Sequence, residues 1–423
     1  MKFLDCIELN PKISFEKGEV YPFIEMANVS TCSREPIYVD EQVYNSGVKF
    51  ENGDSVVARI TPCLQNGKRF YCKNIDRSFG STEFLVFRPK KNLTENRYLY
   101  YLLQTDYIKE NMIKSMVGST GRQRVNNEVF KKLEVSLPPI ETQKKIADIL
   151  SAYDDLIENN QKQIKLLEEA AQRLYKEWFV DLHFPGHEST PIIDGIPQGW
   201  KKENFGSIAP ILTGKKDANF GTEDGKYPFF TCSQEPIKAP SYSFDTSAVI
   251  LAGNGDFNVK LYRGKFEAYQ RTYVLSPNEE QYLYLLYYAV TDNMAKFIKG
   301  ASGSTIKFLT KGMIENVSLF IPNRDILIQF NTFMESIQCK IECLKLSIIN
   351  ATEARDRLLP KLMNGEIEVG MDEKETAKKD NFDYIRKHWR DTPYNKDLPL
   401  AARSTGDISE ETLEKLKEIA EEE

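Results

Sequence analysis

Ile146, Leu150, Tyr153, Ile157, Asn160, Ile164, Leu167, Ala171, Leu174 and Trp178 stand in one stretch of this chain at steps that alternate four and three without a break. Residues three and four apart share a helix face, and an apolar face that repeats every seven residues is a coiled-coil seam. Asn160 lies near the middle of the run, where a single polar residue fixes register at some cost in stability. A helix packed on a globular core would show a wider apolar stripe. A second run has the same character: Ile326, Phe330, Phe333, Ile337, Ile341, Leu344, Ile348, Ala351, Arg355, Leu358 and Leu362. It carries a stutter, a second successive step of four at 337–341, and one charged intruder, Arg355. Two such seams in one chain pair most simply with each other. Helices of about 40 residues would be about 60 Å long, and an antiparallel pairing would set one globular domain at each end.

The segments outside the seams repeat. Tyr21-Pro22-Phe23 followed by Thr31-Cys32-Ser33-Arg34-Glu35-Pro36-Ile37 returns as Tyr227-Pro228-Phe229 followed by Thr231-Cys232-Ser233-Gln234-Glu235-Pro236-Ile237. Gly118-Ser119-Thr120 returns as Gly303-Ser304-Thr305, and Leu137-Pro138-Pro139 as Ile321-Pro322-Asn323. Matches in one order with slowly drifting offsets indicate duplication with insertions. Each copy opens β-rich, as in Ser55-Val56-Val57-Ala58-Arg59-Ile60 and Ala248-Val249-Ile250-Leu251-Ala252, between Gly, Asn and Asp turn signals. Helix-like stretches follow at Tyr98–Met116 and Gln281–Ile298, and each copy then enters its long helix after a proline.

With 423 residues and 41% hydrophobic content, the chain has room for two or three real cores. No apolar run approaches the roughly 18 residues of a membrane span, and Met1-Lys2-Phe3-Leu4-Asp5 does not open a signal peptide. Seven cysteines, never spaced Cys-x-x-Cys, argue against a disulfide framework or zinc knuckle and for a reducing cytoplasm. The net charge of −6 is unevenly placed. From Glu366 onward ten basic residues face seventeen acidic ones, a net of −7, so the preceding 365 residues carry +1. The body therefore has the cations to form basic faces.

The boundaries of the long helices resemble the conserved regions of type I restriction–modification specificity subunits. Leu137-Pro138-Pro139-Ile140-Glu141-Thr142-Gln143-Lys144-Lys145-Ile146-Ala147 is similar to that family's entry into its central helix, and Leu174-Tyr175-Lys176-Glu177-Trp178-Phe179-Val180-Asp181 to its exit. Ile196-Pro197-Gln198-Gly199-Trp200 resembles the opening of the second target-recognition domain. Arg355-Asp356-Arg357-Leu358-Leu359-Pro360-Lys361-Leu362-Met363-Asn364-Gly365-Glu366-Ile367 resembles the close of the second helix. The first domain lacks a Pro-x-Gly-Trp opening, and the second helix begins Ile321-Pro322-Asn323-Arg324-Asp325 in place of the family's Pro-Pro-x-x-Glu-Gln. The resemblance implies an α+β chain with two duplicated mixed α/β target-recognition domains, 1–137 and 185–321. Two long helices, 138–184 and 322–369, would join them as an antiparallel coiled coil, and the acidic tail 370–423 falls outside the match.

By the same resemblance, each domain would read half of a bipartite target in double-stranded DNA. The helices would set the gap and dock two methyltransferase (modification) subunits, and endonuclease/translocase (restriction) subunits would join for cleavage. S-adenosylmethionine, ATP and Mg2+ would be held by those partners in a bacterial or archaeal cytoplasm, with no membrane involved. The seams alone also permit a scaffold joining two protein-binding domains, and the resemblance leaves open a related system in which one partner both methylates and cleaves.

The sequence offers this chain no catalytic residue of its own. It has neither a Gly-x-x-x-x-Gly-Lys-Ser/Thr loop for a nucleotide nor an Asn/Asp-Pro-Pro-Tyr/Phe segment for a flipped adenine. His183 and His187 have a metal-like spacing, but Pro185 and Gly186 break the helix that would align them. Reading DNA needs donors and acceptors at base edges and cations on phosphates. Candidates in the first domain are Arg59, Gln65, Asn66, Lys68 and Arg69, with Ser119, Thr120, Arg122, Gln123 and Arg124 of the Gly-Ser-Thr loop. In the second they are Asn254, Asn258, Lys260, Gln270, Arg271, Ser304, Thr305 and Lys307. The plain alternative for each is a solvated polar side chain. Removing Arg122 and Arg124 together should weaken duplex binding and flatten its salt dependence.

Overall fold

The computed structural model describes residues 1–31, 33–119, 121–303 and 307–369. The first globular domain begins with α1 (Phe3–Cys6) and the strands β1 (Ile7–Leu9), β2 (Val20–Ile24), β3 (Asp40–Val43), β4 (Val48–Phe50), β5 (Ser55–Ala58), β6 (Arg69–Tyr71), β7 (Ser78–Gly80) and β8 (Phe84–Pro89). They form two sheets, in the orders β1-β8-β5-β6 and β3-β2-β7-β4. Two short helices, α2 (Asn96–Leu102) and α3 (Asp106–Lys114), and a helical turn, α4 (Val129–Lys132), follow, with α2 packed on β5, β6 and β8 and α4 against α1. The central helix α5 (Ile140–Phe179) follows.

The second domain is entered through a hairpin, β9 (Ile192–Ile193) and β10 (Ile196–Pro197), then β11 (Lys201–Asn204), α6 (Phe205–Ile208) and β12 (Ile211–Thr213). Its main strands are β13 (Tyr227–Phe230), β14 (Ile237–Ala239), β15 (Phe244–Ala252), β16 (Val259–Ala268) and β17 (Thr272–Leu275). After α7 (Leu283–Asp292), α8 (Met294–Gly300) and α9 (Lys311–Glu315), β18 (Ser318–Ile321) pairs back onto β11 and leads into α10 (Arg324–Met363).

The sequence repeat is a repeat of topology. The six-stranded order β12-β17-β15-β16-β13-β14 contains both first-domain sheets joined end to end. In the second domain β15 pairs with β16 from Phe244↔Phe266 to Leu251↔Val259. In the first, the same ladder is cut in two, Phe50↔Ser78 in one sheet and Val57↔Arg69 in the other. Among the described residues, each copy has a parallel strand pair at the same place, Phe23↔Phe79 and Phe229↔Glu267. The cut falls at Glu51-Asn52-Gly53-Asp54, where Gly53 has φ +91°, a conformation that a side chain would strain. The buried Asp54 carboxylate fixes the bend by accepting from the Glu51 amide at 2.9 Å and from Arg88 at 2.7 and 2.8 Å. Drift of the repeat offsets lies in loops: ten residues separate Ala58 from Arg69, whereas six separate Ala252 from Val259.

The expected single helical stretches at Tyr98–Met116 and Gln281–Ile298 are each broken once. Thr105 takes an extended backbone (φ −59°, ψ 144°) before α3, and Asn293 (φ −87°, ψ 0°) separates α7 from α8. Either conformation ends a run of helical hydrogen bonds.

The two 40-residue helices pair antiparallel. Asp154 meets Arg355, Asn160 meets Ser347, and Trp178 meets Phe330, so one number rises as the other falls. Ile146, Leu150, Ile157, Asn160, Ile341 and Leu344 are buried along the seam, and Tyr153, Ile164, Leu167, Leu174, Ile337, Ile348 and Leu358 are half-buried. The Asn160 amide donates to the Ser347 hydroxyl at 2.9 Å, a polar match available only in this register. Two seam positions differ from the expectation: Met334 is 0% exposed and Phe333 is 53% exposed, and Leu359 is buried where the expected Leu358 is only half-buried. The seam runs 326–330–334–337–341, so the stutter lies at 330–334, one heptad (about two turns) earlier, because Phe330 and Met334 follow the core of the second domain around α10. Tyr175, Trp178 and Phe179 of α5 and Phe330 and Met334 of α10 all belong to that core.

Candidate nucleic-acid interface

Each domain carries a crest where a strand leaves its sheet and the residues flanking the Gly-Ser-Thr sequence pair beside it. In the first domain Val117 and Arg124 exchange backbone hydrogen bonds at 2.9 Å, pinching the loop between them, and Arg124 also bridges to Ile60 just beyond β5. In the second, Ser302 and Phe308 exchange bonds of 3.0 and 2.8 Å, and Phe308 bridges to Asn254 just beyond β15. Gly118 (φ +126°) and Gly303 (φ +112°) occupy the same place in each loop, in a region that disfavours a side chain. The repeated glycine is therefore a backbone requirement.

Most candidate side chains at the crests are already partnered. Arg124 donates to both oxygens of Glu83 at 2.7–2.9 Å. Lys68 donates to the Met26 carbonyl at 2.8 Å, Arg69 to Gln104 Oε1 at 2.6 Å, and Arg59 to the Val125 carbonyl at 3.2 Å. The Nε atoms of Arg59 and Arg69 are buried without a hydrogen-bond partner among the described residues. Gln123 contributes its carbonyl to Thr61. Asn254 accepts from the Cys232 thiol at 2.9 Å, Gln270 donates to Asp217 at 2.6 Å, and Asn258 donates to the Cys232 carbonyl at 3.0 Å. Lys260 reaches Asn258 and the Ser233 carbonyl, and burial lowers its pKa. Gln65, Asn66, Ser119, Arg122, Arg271 and Lys307 are exposed, and their side chains make no hydrogen bond or ion pair among the described residues. Thr120, Ser304 and Thr305 lie outside the described residues.

A second set of residues, none of them among the DNA-binding candidates, ties each domain to the long helices. Arg34, from the first Thr-Cys-Ser motif, is buried and donates to Glu158 at 3.1 and 2.9 Å, with Asp155 closing the cluster. Burial alone would lower the Arg34 pKa, and the hydrogen bonds and charge of these carboxylates more than offset it, so the guanidinium stays charged. Asp154 (2% exposed) accepts from Arg355 (7% exposed) at 2.6 Å and from the Tyr101 hydroxyl. Burial pushes the Tyr101 hydroxyl well up and keeps it protonated as a donor. The charged intruder of the second seam is thus an interhelix partner. Gln143 is buried as well: it donates to the Leu93 and Pro138 carbonyls and accepts from the Glu95 amide. In the second domain, Glu335 of α10 accepts from Arg263 and from Tyr284 at 2.6 Å. The available signal was acidic residues at 154, 155 and 158, too close to the seam positions for ordinary solvated charges.

Burial would push the Glu335 carboxyl up, but hydrogen bonds from Arg263 and Tyr284 outweigh it and hold the carboxyl below its ordinary 4.5. A depressed carboxylate pKa adds stability that is present above the ordinary value and lost as pH falls through the folded-state value. Thermal melting from neutrality down through about pH 4 should therefore fall more steeply for the wild type than for Glu335→Gln. Parallel curves would remove Glu335 from the account.

With this geometry in place, comparison with known proteins is decisive. The family profile described as "Type I restriction modification DNA specificity domain" matches residues 7–169 and 197–344, one match in each repeat. The chain belongs to that family. It is similar to the EcoDI specificity subunit of Escherichia coli, 37% identical over 178 residues, a match spanning 41% of this chain and 39% of that protein. It is also similar to the MjaIX specificity subunit of Methanocaldococcus jannaschii, 28% identical over 310 residues, 66% of this chain and 71% of that one. Among solved structures it shares its fold with the S subunit of a type I restriction–modification system from M. genitalium. The TM-score is 0.52 at 16% identity, over 86% of this chain and 95% of the other. Fold class and family thus agree with the resemblance at the helix boundaries. No helix among the described residues is long and apolar enough to cross a membrane.

Proposed function

We propose that this chain is the sequence-reading, non-catalytic subunit of a type I restriction–modification complex. Each globular domain reads one half of a bipartite target in double-stranded DNA, and the α5–α10 pair sets the gap between the halves. The same helices dock two methyltransferase subunits, and endonuclease/translocase subunits join for cleavage. S-adenosylmethionine, ATP and Mg2+ are bound by those partners, all in the cytoplasm. The single observation that carries this reading is the duplicated crest, the same backbone arrangement on two domains joined by one antiparallel helix pair. A reader of a split target needs two sites held apart rigidly, and the buried Asp154–Arg355 and Asn160–Ser347 contacts lock the register that holds them.

The chemistry of the first crest gives a test. Arg122 is exposed, whereas Arg124 is already paired with Glu83. In the complex with the methyltransferase subunit, Arg122→Ala should weaken duplex binding and lower the slope of log K against log salt by about one. Arg124→Ala should leave that slope unchanged. A slope unaltered in Arg122→Ala across a salt series would take this loop out of the interface.

A further inference from the structure

The two crests differ in charge at positions that the backbone ladders make equivalent. In the first domain the Arg59 amide donates to the Glu83 carbonyl at 2.9 Å and the Val125 amide to the Arg59 carbonyl at 2.9 Å. In the second, the Gly253 amide donates to the Arg271 carbonyl at 2.8 Å and the Leu309 amide to the Gly253 carbonyl at 2.8 Å. Glu83 is therefore the counterpart of Arg271, and Arg124 the counterpart of Phe308. Side chains at matching ladder positions leave the same face of the sheet. The first domain fills this pair with a carboxylate and a guanidinium that neutralise each other. The second fills it with a guanidinium and an aromatic ring. Its arginine is exposed, with no ion pair or hydrogen bond to its side chain among the described residues. The backbone there is held tightly: a Cβ at Gly253 would stand 2.4 Å from the Arg271 carbonyl oxygen and 2.8 Å from the Tyr273 ring. The Tyr273 hydroxyl in turn donates to the Leu309 carbonyl at 2.8 Å. An arginine fork on a fixed stretch of backbone beside an asparagine, Asn254, suits a base edge better than a mobile surface cation does.

We propose that Arg271 is a specificity-determining residue of the second domain, presenting its guanidinium to a guanine edge, and that Glu83 keeps Arg124 from doing the same in the first. The inference rests on the DNA-reading function proposed above and assigns a base-reading role to one residue of it. A guanidinium pairs bidentately with guanine O6 and N7 through a rigid planar fork, a geometry that the flexible lysine ammonium holds less well and a phosphate contact does not use. The position thus gives two similar folds different preferences through one exchange of charge.

The test co-expresses the chain with its neighbouring methyltransferase subunit and maps modified adenines genome-wide by single-molecule sequencing. The wild type should yield a two-part motif; its absence would overturn the parent reading, and this inference with it. Against a two-part wild-type motif, Arg271→Ala should lose discrimination at a guanine in one half only, roughly tenfold or more, with the other half and the gap unchanged. Arg271→Lys should lose part of that discrimination, less than Arg271→Ala does, while keeping the salt dependence of duplex binding, which a merely structural role would not produce. Glu83→Gln should free Arg124 and steepen that salt dependence. An unchanged motif in both Arg271 variants would overturn the proposal and leave the parent reading intact. So would uniformly weaker modification with the motif preserved, because that marks a phosphate contact.

Discussion

Asp154→Ala destabilises the fold by about 3–5 kcal/mol, the usual consequence of removing one partner from a buried ion pair. The Arg355 guanidinium that it deserts is buried in the helix pair and keeps Asp356 as its ion-pair partner among the described residues, and the Tyr101 hydroxyl is left with the longer contact to Ser151 Oγ at 3.4 Å. Replacing both charges, Asp154→Leu with Arg355→Met, should recover most of the loss, since an apolar pair of similar volume is often neutral or better than the ion pair. Urea denaturation of the four proteins in the double-mutant cycle measures this. A single-variant loss under about 1 kcal/mol, or strictly additive losses, would mean that the two helices do not meet in the register described.

The second large effect concerns length. One added heptad in α5 between Ile164 and Leu167, matched by one in α10 between Ile341 and Leu344, keeps both seams in phase and lengthens the pair by about 10 Å. At about 3.4 Å per base pair along one strand, the gap between half-sites should grow by about three base pairs. Both half-sites should be unchanged, because neither domain is touched. Mapping the modified motif before and after the insertion reads the result, and an unaltered gap would mean that something other than the helices sets the spacing.

What was legible in the sequence was legible for physical reasons. A seam such as Ile146 to Trp178 repeats over many turns, so its period survives any local irregularity, and a duplicated tripeptide such as Gly118-Ser119-Thr120 marks a backbone shape that must recur. The stutter in α10 lies one heptad from its expected place because Phe333 and Met334 are both apolar. Only the second domain's core decides which of them is buried. The helix breaks at Thr105 and Asn293 are short local events that apolar periodicity does not register. Contacts between distant parts of the chain were beyond reach altogether: Arg34 meets Glu158 across 124 positions, and Asp154 meets Arg355 across 201. Arg124 and Arg122 looked alike as neighbouring arginines in one loop. They differ because Glu83, on a separate turn before β8, faces only Arg124.

The measurement that bears most directly on the central claim is the modification map of the wild-type chain, co-expressed with its neighbouring methyltransferase subunit. The account predicts a two-part target, its halves unlike each other and separated by a gap of fixed length. A single contiguous motif, or no modification by a complex that assembles stably, would contradict it.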